Sequence, residues 1–517
     1  VRLVDYLDKG ADLGPERPCL TTDGESRSYA AVRELSSRIA AALVARGVRP
    51  GDRVAILSAN DPTSFTCVFG ISRAGAVWCP VNPRNEAAEN RELLDLFGCT
   101  VLLFQPAFAP LVAAIRDDLP GLSTLVCLDA EAPDALSSEA LSWNDFLALG
   151  DGVGPVDEPA LDDLVMIVGT GGTTGRPKGV ELTGRNIETM TALTLMSYPF
   201  EGPPVYLALA PLTHAAGVLC FPVTALGGEV VVMRAPDVGG FLGLVETHGV
   251  THTFLPPTLI YMVLAHERLD TTDLSSLQCF WYGAAPMSVA RLEEALTRIG
   301  PVMAQLFGQT EAPMMISTMA PRDHFRPDGS VARERLASAG RPTPLVRVAI
   351  MDPDGALLPR GATGEIVVRG SLVMRGYHRD PAATAAASAH GWHHTGDVGY
   401  LDADDYLFIV DRAKDMVITG GFNVYSTEVE QALMAHPAVQ DCAVVGLPDE
   451  KWGERVTAVV QLRPGSEASP DDLRAFARER LGGVKAPKQV EVWPDLPRSK
   501  VGKVLKTEIK GRLLPGA

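Results

Sequence analysis

The segment VGTGGTTGRPKGVELT, residues 168–183, holds five glycines, four threonines, Arg176 and Lys178 in sixteen positions. Glycine leaves main-chain N–H groups open to close approach. Threonine hydroxyls and a lysine ammonium add further donors, the set that phosphate oxygens accept. The spacing is not G-x-x-x-x-G-K, because the chain's one Gly-Lys pair is Gly502-Lys503 and position 497 is proline. Nor is it G-x-G-x-x-G, since position 174 is Thr174. Val180, Glu181 and Leu182 separate the loop from any helix beginning near Thr183, so no helix dipole points directly into it. On composition alone, a phosphate cradle and a mobile glycine-rich turn stand level.

The elements that must position these residues follow from hydrophobic pattern. RVAILS (53–58), TVLLF (100–104), LVMIV (164–168), VYLALA (205–210), EVVVM (229–233) and THTFL (251–255) read as buried strands. Apolar helical patterns at 29–46 and 289–299 fall between them, and that alternation predicts α/β layers with largely parallel sheets. Residues 130–163, rich in Asp, Glu, Ala and Pro, read as a surface excursion. Near residue 411 the texture changes, and a compact unit follows. There, Thr427 and Glu430 are spaced as a capping box, and Ser469, Pro470 and Asp472 form a second helix start. The division is therefore 1–410 for a large domain and 411–517 for a small α+β one.

With 517 residues, 46% apolar and 21% charged, the chain can bury more than one sizeable core. A net charge of −17 with no long basic run argues against nucleic acid as the main partner, and requires local positive charge for any polyphosphate ligand. The eight cysteines form no C-x-x-C and sit mostly in apolar stretches, which fits reduced buried thiols and a cytoplasmic setting rather than structural zinc. No apolar run reaches the ~20 residues of a membrane span, the start VRLVDYLDKG has no signal-like core, and LLPGA is no peroxisomal address.

TGGTTGRPKG resembles the signature loop of adenylate-forming enzymes, the superfamily of acyl-CoA synthetases, aryl-CoA ligases, luciferases and peptide-synthetase adenylation domains, with Gly171-Gly172 where Ser-Gly is common. AGAVWCPVNPR (74–84), PLTHAAG (211–217), WYGAAPMS (281–288), LFGQTEA (306–312), HTGDVGY (394–400), DRAKDMVITGGFNVYSTEVE (411–430) and PRSKVGK (497–503) resemble the superfamily's other segments, in its order and across nearly the whole chain. The resemblance implies a large N-terminal domain of stacked α/β layers with a β-barrel-like subdomain, and a mobile C-terminal domain. It also implies a two-step reaction: a carboxylate attacks the α-phosphate of ATP, and a thiol then displaces AMP.

It assigns roles by position. Thr170, Gly171, Gly172, Thr173, Thr174, Gly175 and Lys178 would hold the β- and γ-phosphates, Glu311 a Mg²⁺ ion, and Thr310 an α-phosphate oxygen. Gly283, Ala284 and Ala285 would wall the adenine, with Phe307 (where many relatives carry Tyr) stacked on it beside Gly308; a core Phe is the competing reading. Asp397 would accept from both ribose hydroxyls, Arg412 would contact ribose or phosphate, and Lys503 would bridge carboxylate and α-phosphate. Asp411 would be the hinge, and Gly420, Gly421 and Phe422 would flank the CoA pantetheine arm. The acyl pocket would take His214, Gly217, Val218, Phe221, Trp281 and Tyr282; for His214 a satisfied half-buried imidazole competes with a gate. These walls carry no Asp, which disfavours amino acids and favours a hydrophobic carboxylic acid, aliphatic, aryl or polycyclic. Three functions are weighed: an acyl-CoA ligase, a stand-alone enzyme that charges a carrier protein, and a noncatalytic nucleotide-binding relative. A homodimer is compatible with all three.

Overall fold

The computed structural model describes residues 1–152, 154, 163–170, 177–213, 215–412, 415–499 and 503–514. Two large sheets dominate. One has nine strands in the spatial order 341–342, 312–319, 303–309, 279–282, 252–255, 205–208, 229–232, 18–22 and 25–28. From 303–309 through to 18–22 the neighbouring strands pair in parallel, and the pairs at either end are antiparallel. The second has eight strands, in the order 376–377, 178–183, 164–170, 77–81, 53–57, 101–104, 124–127 and 140–141. All six expected strands are present, because strands covered on both faces read as unbroken apolar runs.

Helices Tyr29–Ala45, Pro62–Arg73, Gly184–Ser197 and Ala215–Ala225 contribute to one continuous core with both sheets. Tyr206, Phe254, Trp281 and Ala304 enter it from the nine-stranded sheet, and Val54, Ile56, Trp78 and Met166 from the other. Gly217 lies on the Ala215–Ala225 helix, where a Cβ would stand 1.9 Å from the Leu212 carbonyl oxygen, so no larger residue fits there. The opposite face of the nine-stranded sheet carries Leu207, Leu255, Phe280, Tyr282 and Met303 into a second core with helices Val238–His248, Pro257–Leu264 and Val289–Arg298.

A four-stranded antiparallel sheet follows, in the order Arg347–Met351, Gly364–Arg369, His393–Leu401 and Leu407–Arg412, in the region of the expected barrel-like subdomain. The remaining sheet is built wholly from residues after 416, with its own core around Val429, Leu433, Val444, Val456 and Leu473. The fold is mixed α/β, with a large N-terminal part and a smaller C-terminal one.

Two local expectations change. The segment 130–163 is not all surface: Ser142 caps a helix Trp143–Ala148 whose Phe146 is fully buried. Thr427 is not a cap, since the helix already begins at Ser426 and Tyr425 is its N-cap. Glu430 instead accepts from the Val444 amide at 2.8 Å and pairs with Lys506 at 2.7 Å. The Ser469/Asp472 capping box is formed as expected. All eight cysteines are buried and unpaired. No helix among the described residues is long and apolar enough to cross a membrane.

Two buried imidazoles make the large lobe acid-sensitive. His252 is stacked on Phe200 at 4.4 Å, and His324 lies beneath Tyr282. Burial lowers both from the usual 6.5 to about 4. A lowered histidine stabilises the fold above its unfolded value, and that stability is lost as pH falls from 6.5 toward 4. Going from pH 7 to pH 5 should remove about 2 kcal/mol per histidine. Urea unfolding midpoints at the two pH values test this; equal midpoints would mean the imidazoles are charged when folded.

Candidate active site

The strand Leu164–Thr170 and the strand Lys178–Thr183 form an antiparallel hairpin in which Thr170 faces Lys178, so both ends of the glycine-rich loop are fixed in one ladder. Gly171, Gly172, Thr173, Thr174 and Gly175 lie outside the described residues, as does His214. The Lys178 ammonium stands 4.7 Å over the ring of Tyr377. The Tyr377 hydroxyl donates to Glu311 Oε1 at 2.8 Å. Glu311 and Thr310 occupy the turn between the strands Met303–Gln309 and Ala312–Met319, and the Glu311 carbonyl accepts from the Met374 amide at 2.7 Å.

The nearby backbone is crowded. A Cβ on Gly283 would meet the Leu306 carbonyl oxygen at 2.4 Å, and one on Gly308 the Met314 nitrogen at 2.3 Å. The pairing slips between Phe307 and Gln309, a bulge that bends the strand leading into the Thr310-Glu311 turn. Ala284 has a left-handed φ of 65° and is exposed, a conformation costing about 1 kcal/mol for a residue with a Cβ. Phe307 is half-buried against two cores, so one part of its ring serves packing.

Asp397 is 5% exposed, in the strand His393–Leu401 directly opposite Arg412. Arg412 Nε lies 3.2 Å from its Oδ1. Burial raises the Asp397 carboxyl above the usual range; Arg412 and Lys503 pull it back, and Glu311 pushes it up. The charges of Lys503, from the small lobe, and Glu311, from the large one, thus both act on the Asp397 carboxyl, in opposite directions. The Lys503 amide donates to Ser499 Oγ at 3.1 Å, and its carbonyl accepts from the Ser499 amide at 2.6 Å.

Asp411 is anchored on both sides. Its backbone pairs with Val398, while its carboxylate accepts from the Ser426 amide at 2.5 Å and the Ser426 hydroxyl at 3.0 Å. Lys506 donates to the same hydroxyl and pairs with Glu430. Elsewhere the lobes meet through a few polar contacts: Gln431 with the Met287 carbonyl and Val289 amide, Arg291 with the Val439 carbonyl, and Arg498 with Thr258. Gly420 and Gly421 take φ of 58° and 81° in an exposed turn, where Phe422 is 60% exposed. The Gly420 amide donates to the Trp452 carbonyl at 2.7 Å, and Lys451 and Lys488 lie over the Trp452 ring at 4.9 and 5.7 Å.

The expected acyl pocket does not come together as one wall. Trp281 enters the inter-sheet core among Tyr198, Phe200, Tyr206 and His252. Tyr282, the next residue on the strand, points to the other face, where its hydroxyl meets His324 Nε2 at 2.9 Å. Successive strand residues alternate, so these two side chains face different cores. Phe221 is fully buried against Tyr6 and Phe69. Val218 is buried on the same helix.

Tyr377 and Trp452 were absent from the expected site. Glu311 lies 66 residues from Tyr377, beyond the reach of local pattern. The exposed Trp452 between Lys451 and Gly453 is a cue readable in the sequence.

The chain matches the AMP-binding enzyme model over residues 7–378 and the AMP-binding enzyme C-terminal domain over 428–503. It is 38% identical over 505 residues to a feruloyl-CoA synthase of Amycolatopsis sp, covering 97% of each chain. It is 37% identical over 492 residues to the medium/long-chain-fatty-acid–CoA ligase FadD8 of Mycobacterium tuberculosis, covering 92% of this chain and 84% of that one. Among solved structures, the amide bond synthetase McbA of Marinactinospora thermotolerans superposes with a TM-score of 0.89 at 32% identity, over 99% of this chain and 100% of that one. The chain belongs to the AMP-binding enzyme family, the adenylate-forming superfamily that includes the acyl-CoA ligases.

Proposed function

We propose that this enzyme is an ATP-dependent acyl-CoA ligase, a ligase forming carbon–sulfur bonds, that activates a hydrophobic carboxylic acid. One carboxylate oxygen attacks the α-phosphorus of ATP and pyrophosphate leaves, giving acyl-AMP. The CoA thiol then adds to the acyl carbonyl, its proton is lost, and AMP leaves with the oxygen it gained. The observation that carries this reading is the buried Asp397 carboxylate, paired with Arg412 and acted on by the charges of Lys503 and Glu311 from the two lobes.

Each residue then has a task. Asp397 is an acceptor with two oxygens, matched to a ribose diol. Thr170 and Lys178 flank the loop that would carry the β- and γ-phosphates, and Thr310 faces the same turn as Glu311. Lys503 supplies positive charge where negative charge gathers on the oxygens around the five-coordinate α-phosphorus. Among the described residues no three potential ligands cluster into a self-sufficient metal site. Glu311, with Oε1 held by Tyr377 and no described donor on Oε2, fits a cation shared with phosphates, the manner in which Mg²⁺ binds using one or two carboxylates. Such an ion would neutralise the departing pyrophosphate.

Asp411 is proposed as the hinge between the domains 1–410 and 411–517. After its rotation the Gly420–Gly421 turn would admit the pantetheine arm, and the Trp452 ring with Lys451 and Lys488 offers a stacking face and cations for the CoA nucleotide. The acid would lie along the Ala215–Ala225 helix near Gly217 and Val218, with Trp281 behind.

A panel of fatty, aryl and polycyclic acids, assayed for AMP release with Mg·ATP and CoA, tests the assignment. AMP release that depends on both an apolar acid and free CoA is expected. Release that requires a carrier protein instead of CoA would replace the acceptor, and none with any acid would end the proposal.

A further inference from the structure

Tyr377 sits between the two groups of opposite charge that ATP and its metal must share. Its two-residue strand, Gly376–Tyr377, pairs with the Lys178–Thr183 strand, placing Tyr377 opposite Val180. Its amide donates to Thr384 Oγ1 at 2.8 Å, which fixes the backbone. From there the hydroxyl donates to Glu311 Oε1 at 2.8 Å, and the ring carries Lys178 Nζ at 4.7 Å. Lys178 and Glu311 make no ion pair with each other. A direct pair would consume the cation meant for phosphate and the carboxylate meant for metal.

We infer that Tyr377 is a positioning residue that keeps Lys178 and Glu311 apart: its phenol occupies one Glu311 oxygen and turns the other toward a divalent cation, while its ring holds Lys178 for the nucleotide. This rests on the nucleotide-site reading above. Outer partners of this kind orient a ligand and typically change metal affinity 10–100-fold when lost. The ring face attracts a cation whether or not it bears a hydroxyl, so the two contacts can be separated by substitution.

Mn²⁺ binding, read by the loss of its free-ion electron paramagnetic signal in the presence of a non-hydrolysable ATP analogue, tests the inference without turnover. Tyr377→Phe removes only the hydroxyl. It should weaken Mn²⁺ binding about tenfold while metal-free binding of the analogue, measured by calorimetry, stays at the wild-type value. Tyr377→Leu removes the ring as well and should also weaken metal-free binding by about threefold. In a Glu311→Gln background, Tyr377→Phe should have no further effect on Mn²⁺. Wild-type Mn²⁺ affinity in Tyr377→Phe, or an equal loss in the Glu311→Gln background, would overturn the role. If Tyr377→Leu does not fold, as judged by its melting curve, Tyr377→Phe decides alone. Failure of the wild-type enzyme to bind Mn²⁺ with the analogue would instead defeat the nucleotide-site reading itself.

Discussion

Lys503→Ala should lower acid-dependent adenylation by about 10²–10³-fold and leave conversion of supplied acyl-AMP to thioester near the wild-type rate. The size follows from losing one preorganised positive donor aimed at charge that develops only in the transition state. The selectivity follows from where the residue sits. Lys503 belongs to the small lobe, yet its charge lowers the carboxyl of Asp397 in the large lobe, the lobe in which the proposed first step takes place. Its backbone is held by Ser499 and flanked by the bridge between Arg498 and Val504, so the alanine change leaves those contacts in place. Rapid-quench measurement of acyl-AMP formation, beside thioester formation from synthetic acyl-AMP, separates the two steps. Equal losses in both would show that Lys503 supports the fold or both reactions. An adenylation rate like wild type would remove it from the chemistry.

The second large effect is expected at the joint. Asp411→Pro should keep adenylation within about tenfold and reduce thioester formation by about 10²-fold or more. Asp411 is tied to the large lobe by its strand pairing with Val398 and to the small lobe by its carboxylate on Ser426. In the proposed cycle, reorientation of the small lobe would pass through the few dihedrals around this residue. Proline fixes φ near −65° and takes that freedom away. It also deletes a buried carboxylate, so Asp411→Ala is the control: it loses about 1–3 kcal/mol of stability but retains the rotation. Burial raises the Asp411 carboxyl, opposed first by Lys506, so the stability it brings is greatest below its unfolded value and falls as pH rises through its folded one. The proline variant should fail in the second half-reaction and the alanine variant should not. If the two behave alike, the hinge lies elsewhere.

Local chemistry made much of this legible. The interior strands were readable because each is a short apolar run bounded by turns, and Ser469 with Asp472 is a helix start that depends on neighbours only. Thr427 and Glu430 have the same spacing, but Glu430 is drawn to Lys506 and the Val444 amide, contacts that local pattern cannot contain. The helix at Trp143–Ala148 was hidden because acidic and proline residues surround a few large apolar ones that turn inward. Tyr377 and the Asp411–Ser426–Lys506 cluster arise from pairings distant in sequence. The division of Trp281 from Tyr282 is different: strand alternation alone separates adjacent side chains, and the sequence sufficed to see it.

The central claim is that the two lobes together move a carboxylate oxygen onto the α-phosphorus of ATP. Turnover of the best acid from the panel, labelled with ¹⁸O in its carboxylate, tests it by mass spectrometry of the released AMP. One ¹⁸O per AMP, with none in pyrophosphate, is the expected result. Unlabelled AMP alongside normal thioester formation would contradict the claim, because the acid would then have been activated by another bond.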